Sequence, residues 1–394
     1  MMNVFEKSIA SLAAYIKLKR KKIIRFLVVS LLFVAFAIFV NNYKNVEKTE
    51  MVSTTGRTFE KAVVTEIIAD NLQENEVRAG NQTVNVKLLS GDLKGHLMTA
   101  TSSDGNLYGA VCKVGTKVIV IVSTAGDNSL ASVYSIDREF PVYIFIAIFI
   151  LILCLIGGKN GIKSALALAF TVGCIFYLFL PMIYRGVSPF LAAVIVAIIT
   201  TIVTMYLIGG ITVKTVSAIL GTIVGVLVAG IAAYLFGKCA NISGNNVSNI
   251  DTLIFVGQNT KIQISGLLFA GVIIASLGAV MDIAISISST INEIHERNPQ
   301  IASKELFLSG MNVGKDMMGT MSNTLILAFT GGSLSILVIN YAYNLEYMQM
   351  INSYSIGIEI MQGIAGSLGV ILTVPFVSII CALFMTKKGQ SIDK

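Results

Sequence analysis

Long apolar runs separated by short polar loops fill most of the chain. They cover residues 23–40, 142–156, 164–182, 190–208, 216–236, 264–288, 324–343 and 356–385. At ~1.5 Å per residue, about 20 apolar residues cross the ~30 Å hydrocarbon core of a bilayer. The pattern predicts a membrane all-α, polytopic bundle of about eight transmembrane helices. Pro375 falls inside the longest run and predicts a kink there.

Residues 41–140 follow a different rhythm. Apolar and polar positions alternate with period 2 over 61–68, 82–89, 117–123 and 130–136. The Gly-rich turns SGDLKG, SSDGN, VGTK and TAGDN punctuate them. Short alternating segments bounded by such turns read as strands. They predict an inserted small β-barrel-like domain, OB-like in strand spacing. An OB-like barrel can bind an oligosaccharide or a nucleic acid. With only Phe59, Tyr108 and Tyr134 among its aromatics singled out for such contacts, a structural or partner-docking module fits better.

Polar residues inside the apolar pattern carry the candidate chemistry. At helical spacing Ala275, Gly278, Asp282, Ser286, Ser289 and Glu293 share one face. In the string SGMNVGKDMMGTMSNT, Ser309, Asn312, Asp316, Gly319 and Asn323 do the same, with Lys315 beside Asp316. An ionisable group at the bilayer centre costs at least ~2.5 kcal/mol, so it normally faces a bundle interior or a watery cavity. Two such stripes close in sequence predict two helices lining a common polar interior. Glu359, with Gln362 one turn on, adds a third carboxylate toward the other end of the membrane. Asp282, Asp316 and Glu359 are therefore candidates for ion coupling or substrate contact, with Ser286, Ser289, Asn312, Lys315, Asn323 and Gln362 in support. The competing reading is that Asp282 pairs with Lys315 and only holds helices together. In TGGS, Gly331 and Gly332 either unwind a helix to coordinate a ligand or let a neighbouring helix approach closely. Gly221 and Gly225 form a GxxxG, and Gly363, Gly366, Ser367 and Gly369 give the last helix a small face, both suited to packing.

Composition agrees with the pattern: 55% of the 394 residues are hydrophobic and 13% charged, against ~25% charged in a soluble domain. The net charge of +7 would suggest nucleic acid in a soluble protein. Here KLKRKK at 17–22 precedes an apolar run, so the positive-inside rule accounts for it and no nucleic-acid partner is expected. No small-x-small cleavage site follows 23–40, which reads as an uncleaved anchor rather than a signal peptide. Loop charges predict both termini in the cytoplasm: Lys159, Lys163, Lys214, Arg297, Lys304, Lys387 and Lys388 fall on that side, and Arg185, Lys238 and Lys261 on the other. The expected layout is a basic cytoplasmic stretch (1–22), an anchor (23–40), an extracytoplasmic β-domain (41–140), a membrane domain with seven helices (141–386) and a cytoplasmic tail (387–394). The five cysteines lack metal-type spacing and His96 and His295 are isolated, so neither a metal nor a cofactor is expected. HExxH, GxSxG and the Walker spacing are absent, which points away from an enzyme. An intramembrane hydrolase would need Asp282 and Asp316 at hydrogen-bonding distance.

The strings GAVMDIAISI, Asn298–Pro299, SGMNVGKDMMGTMSNTLILAFTGGSL and EIMQGIAGSLGVILTVP together resemble the YibE/F family of bacterial multi-pass membrane proteins. The resemblance covers most of 141–385, and the basic anchor and outer β-domain match the family's usual layout. It implies a polytopic protein of the bacterial plasma membrane and assigns no catalytic residues. Two functions follow as expectations. One is a secondary transporter or exporter using the intramembrane carboxylates. The other is a non-catalytic scaffold or assembly factor whose β-domain binds an envelope partner. Beyond the lipid bilayer, the expected partners are a second copy or a related membrane protein.

Overall fold

The computed structural model describes residues 55–71, 80–103, 109–125, 128–247 and 250–389. The expected anchor at 23–40, the basic stretch before it, Tyr108 and residues 390–394 lie outside them. Two compact units divide at residue 158.

The first unit is built on a five-stranded closed barrel, the strand number of the OB fold. Its strands are β1 (Arg57–Asp70), β2 (Asn81–Leu88), β3 (Leu97–Ser103), β4 (Lys117–Ala125) and β5 (Asn128–Ile136), in the order β1-β2-β3-β5-β4, with β4 closing on β1. Only the β3–β5 pair is parallel. The period-2 alternation turns Val64, Val84, Val86, Leu88, Val118, Val120 and Val122 into one core. Gln82 follows the same alternation and is also buried. Its Oε1 accepts from the Cys112 amide at 2.7 Å, and its Nε2 donates to the Asp70 carboxylate at 3.0 Å and the Cys112 carbonyl at 3.3 Å. Ser102 treats Ala110 similarly, donating to its carbonyl at 2.7 Å and accepting from its amide at 3.0 Å. Two buried polar side chains thus fasten one irregular segment across the barrel. Cys112 is a buried free thiol.

Helix α1 (Glu139–Cys174) starts in this unit, where Glu139 pairs with Lys61 of β1. Its first half is apolar and almost wholly exposed, Phe145 at 76% and Leu155 at 73%. A helix apolar all round belongs in lipid or against a partner. Gly158 breaks α1 with φ 52° and ψ −129°. The runs expected as separate spans at 142–156 and 164–182 thus lie on one helical stretch, Glu139–Tyr184. Its 46 residues are about twice what one crossing needs.

In the second unit a π turn (Ile175–Phe179) leads into α2 (Leu180–Tyr184). There follow α3 (Pro189–Gly209), α4 (Val213–Ala240), the short α5 (Ile250–Asn259), α6 (Leu267–Arg297), α7 (Ser303–Gly332), α8 (Leu334–Ala342), α9 (Tyr347–Ile351) and α10 (Tyr354–Gly389). Five helical stretches among the described residues are long and apolar enough to cross a membrane, or six if the bent pair α7–α8 counts as one. The small faces expected from sequence meet: a Cβ at Gly369 would stand 2.8 Å from both the Gly225 carbonyl and the Ala229 Cβ. Glycine there lets α4 and α10 cross at near-backbone contact. Helix α10 continues as one helix through Pro375.

Candidate functional site

The two polar stripes sit on α6 and α7, an antiparallel pair joined by residues 298–302. The Asn298 amide caps the end of α6, and Pro299 cannot continue it. Residues Ile273, Val280, Ile283, Ile287 and Ile291 form a fully buried stripe on α6. On α7 the buried positions are Leu306, Gly310, Gly314 and Leu325. A Cβ at Gly310 would lie 2.6 Å from Ile291 Cδ1 and from Ser378 Oγ, and one at Gly314 would lie 3.2 Å from Ile287 Cδ1. These glycines let α7 lie close against α6 and α10.

That packing turns the polar stripes the other way. Asp282 and Glu293 on α6 are exposed, and Ser286 and Ser289 half-buried. On α7, Asn312, Lys315, Asp316, Gly319 and Asn323 are all exposed. A Cβ at Gly278 or Gly319 would meet nothing within 4 Å. Among the described residues the two stripes do not line one common polar interior: Asp282, Lys315 and Asp316 are exposed, while Gly278 lines a cavity of about 280 Å³ with Thr171, Thr200 and Thr204. Among the described residues no carboxylate, lysine, arginine or histidine is buried. The buried hydroxyls of Thr200, Ser276, Ser288 and Thr373 donate to carbonyls of their own helices. Lipid and protein core are equally apolar, so an apolar stripe gains little by choosing one over the other. Apolar burial alone therefore does not choose the face, and here Ile-on-Gly packing places the apolar stripe inside.

The register of the pair places the charges. Ile291 opposite Gly310 and Ile287 opposite Gly314 put Asp282 level with Gly319 and Asp316 level with Ile285. The two carboxylates therefore lie within about one helical turn, ~4.5 Å, of the same depth. Asp282 is fifteen residues from either end of α6, about 22 Å. Neither Asp282, Lys315 nor Asp316 forms a side-chain hydrogen bond or ion pair among the described residues. The expected alternative, an Asp282–Lys315 clasp, is not made.

Glu359 is elsewhere. It is half-buried on α10 and lines a cavity of about 330 Å³ with Thr330, Ser333 and Leu337. Continuing the contacts of Gly366 with Leu325 and Gly363 with Ile326 sets Glu359 level with Thr330, fourteen residues from Asp316 along α7 and so ~21 Å away. Gln362 is half-buried one turn on and does not line the cavity. Helix α7 ends at Gly332 and α8 sets off at 62°. The Ser333 hydroxyl caps the end, donating to the Phe329 carbonyl at 3.1 Å. Nothing lies within 4 Å of a Cβ at Gly331 or Gly332, so these glycines end a helix rather than admit a neighbour. The meeting of Glu359 with Thr330 and Ser333 was not read from sequence. The TGGS string marks the place, as a segment that unwinds or admits a neighbour, without pointing to Glu359.

The family described as YibE/F-like protein matches residues 145–387, well over half of the chain. No curated protein and no solved structure matches it.

Proposed function

The chain belongs to the YibE/F-like family and is a membrane protein, and from that premise we propose that it is a transport component whose path is completed between chains. The observation that carries this reading is the outward face of α6 and α7, with Asp282, Asp316 and Lys315 at nearly one depth. Turned to lipid, such groups would cost several kcal/mol; covered by a second polar face, they line a path for a cation or a polar solute. A second copy is the cover we propose. A two-fold axis along the membrane normal keeps depth, so each copy's Lys315 meets the level of the other's carboxylates and the faces are complementary in charge. The bilayer is the plasma membrane, with both termini in the cytoplasm and the barrel outside, as the loop charges favour.

Proton and cation flux into proteoliposomes, wild type against Asp282→Asn and Asp316→Asn, tests this reading. Flux that falls at least about tenfold, as loss of a coupling carboxylate implies, with unchanged reconstitution, supports it. Undiminished flux in both variants sinks it.

One observation favours a second reading, a scaffold that docks a partner on the barrel. Phe59 and Tyr134 stack edge to face at 5.3 Å on the barrel surface, with Phe59 57% exposed. Tyr134 is the extra residue of the irregularity between Ile119 and Val120, which thrusts it outward.

A further inference from the structure

A cavity of about 790 Å³ lies in the second unit. It lies where α4 ends and α3 and α6 begin, and its volume is that of a small-molecule site. One wall is apolar: Phe190, Ile231, Tyr234 and Phe269, with Tyr234 and Phe269 edge to face at 5.7 Å. Ile231 and Tyr234 are each 51% exposed on a helix long and apolar enough to span, so this wall is an open apolar surface.

The opposite rim is polar and carries a cation, Lys238 in the last turn of α4. The start of α3 and the turn before α6 line the same cavity. Ser188 precedes α3, and Gln263 precedes the 3-10 turn leading into α6; neither side chain caps its helix. The uncapped start of α3, past Pro189, leaves the amides of its first turn and the positive end of its dipole on this side. The connecting segments 185–188 and 238–266 hold Arg185, Lys238 and Lys261 against one acid, Asp251. They are tied together there: Gln263 Nε2 donates to the Gly186 carbonyl at 3.1 Å, and Gly186 lies against the Lys261 side chain. The basic residues expected on the outer loops thus collect at one end of the bundle, beside a cavity with an apolar wall.

We infer that this cavity binds an amphiphile with an anionic phosphate or carboxylate head group. The head sits at Lys238 and the start of α3, among the polar side chains of Ser188, Ser243 and Gln263. The hydrocarbon lies along Ile231, Tyr234 and Phe269. A soluble phosphate shares the head-group chemistry without the tail, and the two sources separate by experiment.

Full-length protein in nanodiscs is titrated with fluorescent phosphatidylglycerol and, separately, fluorescent phosphatidylcholine, for wild type, Lys238→Gln and Lys238→Arg. The wild type is expected to prefer phosphatidylglycerol, Lys238→Gln to lose about tenfold in that preference, as loss of one charge-assisted contact implies, and Lys238→Arg to restore it. Millimolar inorganic phosphate that displaces the lipid assigns the site to the anion itself, and failure to displace it assigns the site to the amphiphile. Equal binding of the two lipids by wild type, or equal preference in wild type and Lys238→Gln, overturns the inference. Exposed Lys238 bears no packing load, so a folding failure does not blur the result.

Discussion

The barrel and the α6–α7 pair handle polar groups in opposite ways. In the barrel the polar side chains that go inside, Gln82 and Ser102, find partners there, and the domain closes on itself with β4 on β1. In the α6–α7 pair the apolar and glycine stripes go inside while Asp282, Lys315 and Asp316 point away from the bundle without partners among the described residues. In water the second arrangement is ordinary. In lipid it leaves charges uncovered, and those charges are what the proposed second copy would cover.

The comparison breaks most sharply at two glycines of one helix. Gly314→Leu drives a side chain into Ile287 and Val374, and is expected to cost about 3 kcal/mol through overpacking. Gly319→Ala, five residues on and facing open space, is expected to be neutral or slightly stabilising, because alanine is the better helix former. Thermal aggregation midpoints of the purified variants check this; equal loss in both would mean the packed face has been misassigned.

Gln82→Ala tests the barrel half. It strands the buried Cys112 amide, at a cost of about 2 kcal/mol. On a domain of this size that is on the order of 10 °C in melting temperature. Protease cutting of the barrel in the full chain is expected to begin correspondingly earlier on heating. An unchanged cutting temperature would show that Gln82 does not fasten the segment.

The smallest effect is one of pH. Burial pushes the Cys112 thiol up, a contact with Ser102 offsetting part of the rise. The folded barrel therefore holds this proton more tightly than the unfolded chain does. The stability this confers is fully present below the ordinary thiol pKa and is lost as pH rises through the raised folded value. Cys112→Ala is expected to flatten that alkaline decline, read as barrel stability between pH about 8 and about 10; an identical decline in the variant would assign it to other groups.

Much of the fold was legible because the two periods differ. Alternation in 61–68 and 117–123 can bury only Val64 and its fellows, and long apolar runs can only span or be buried. The count of spans was less legible: the polar interruption GGKNGIK stays helical except at Gly158, so two runs became one broken helix. Asp282 and Asp316 stood out as ionisable groups in an apolar setting, but the direction they face did not. That depended on Gly310 and Gly314 meeting Ile291 and Ile287, contacts between residues with no shared pattern. Glu359 gained its neighbours Thr330 and Ser333 through a helix end that sequence marked without orienting.

The central claim is that a second copy covers the α6–α7 face. Cross-linking in native membranes tests it most directly, with Gly319→Cys introduced after the five native cysteines are replaced. Leu220→Cys, on the exposed apolar side of α4, serves as control. The account predicts a cross-linked dimer from position 319 and none from position 220. Monomer alone at both positions, with Gly319→Cys fully reactive toward a lipid-soluble maleimide, would contradict it.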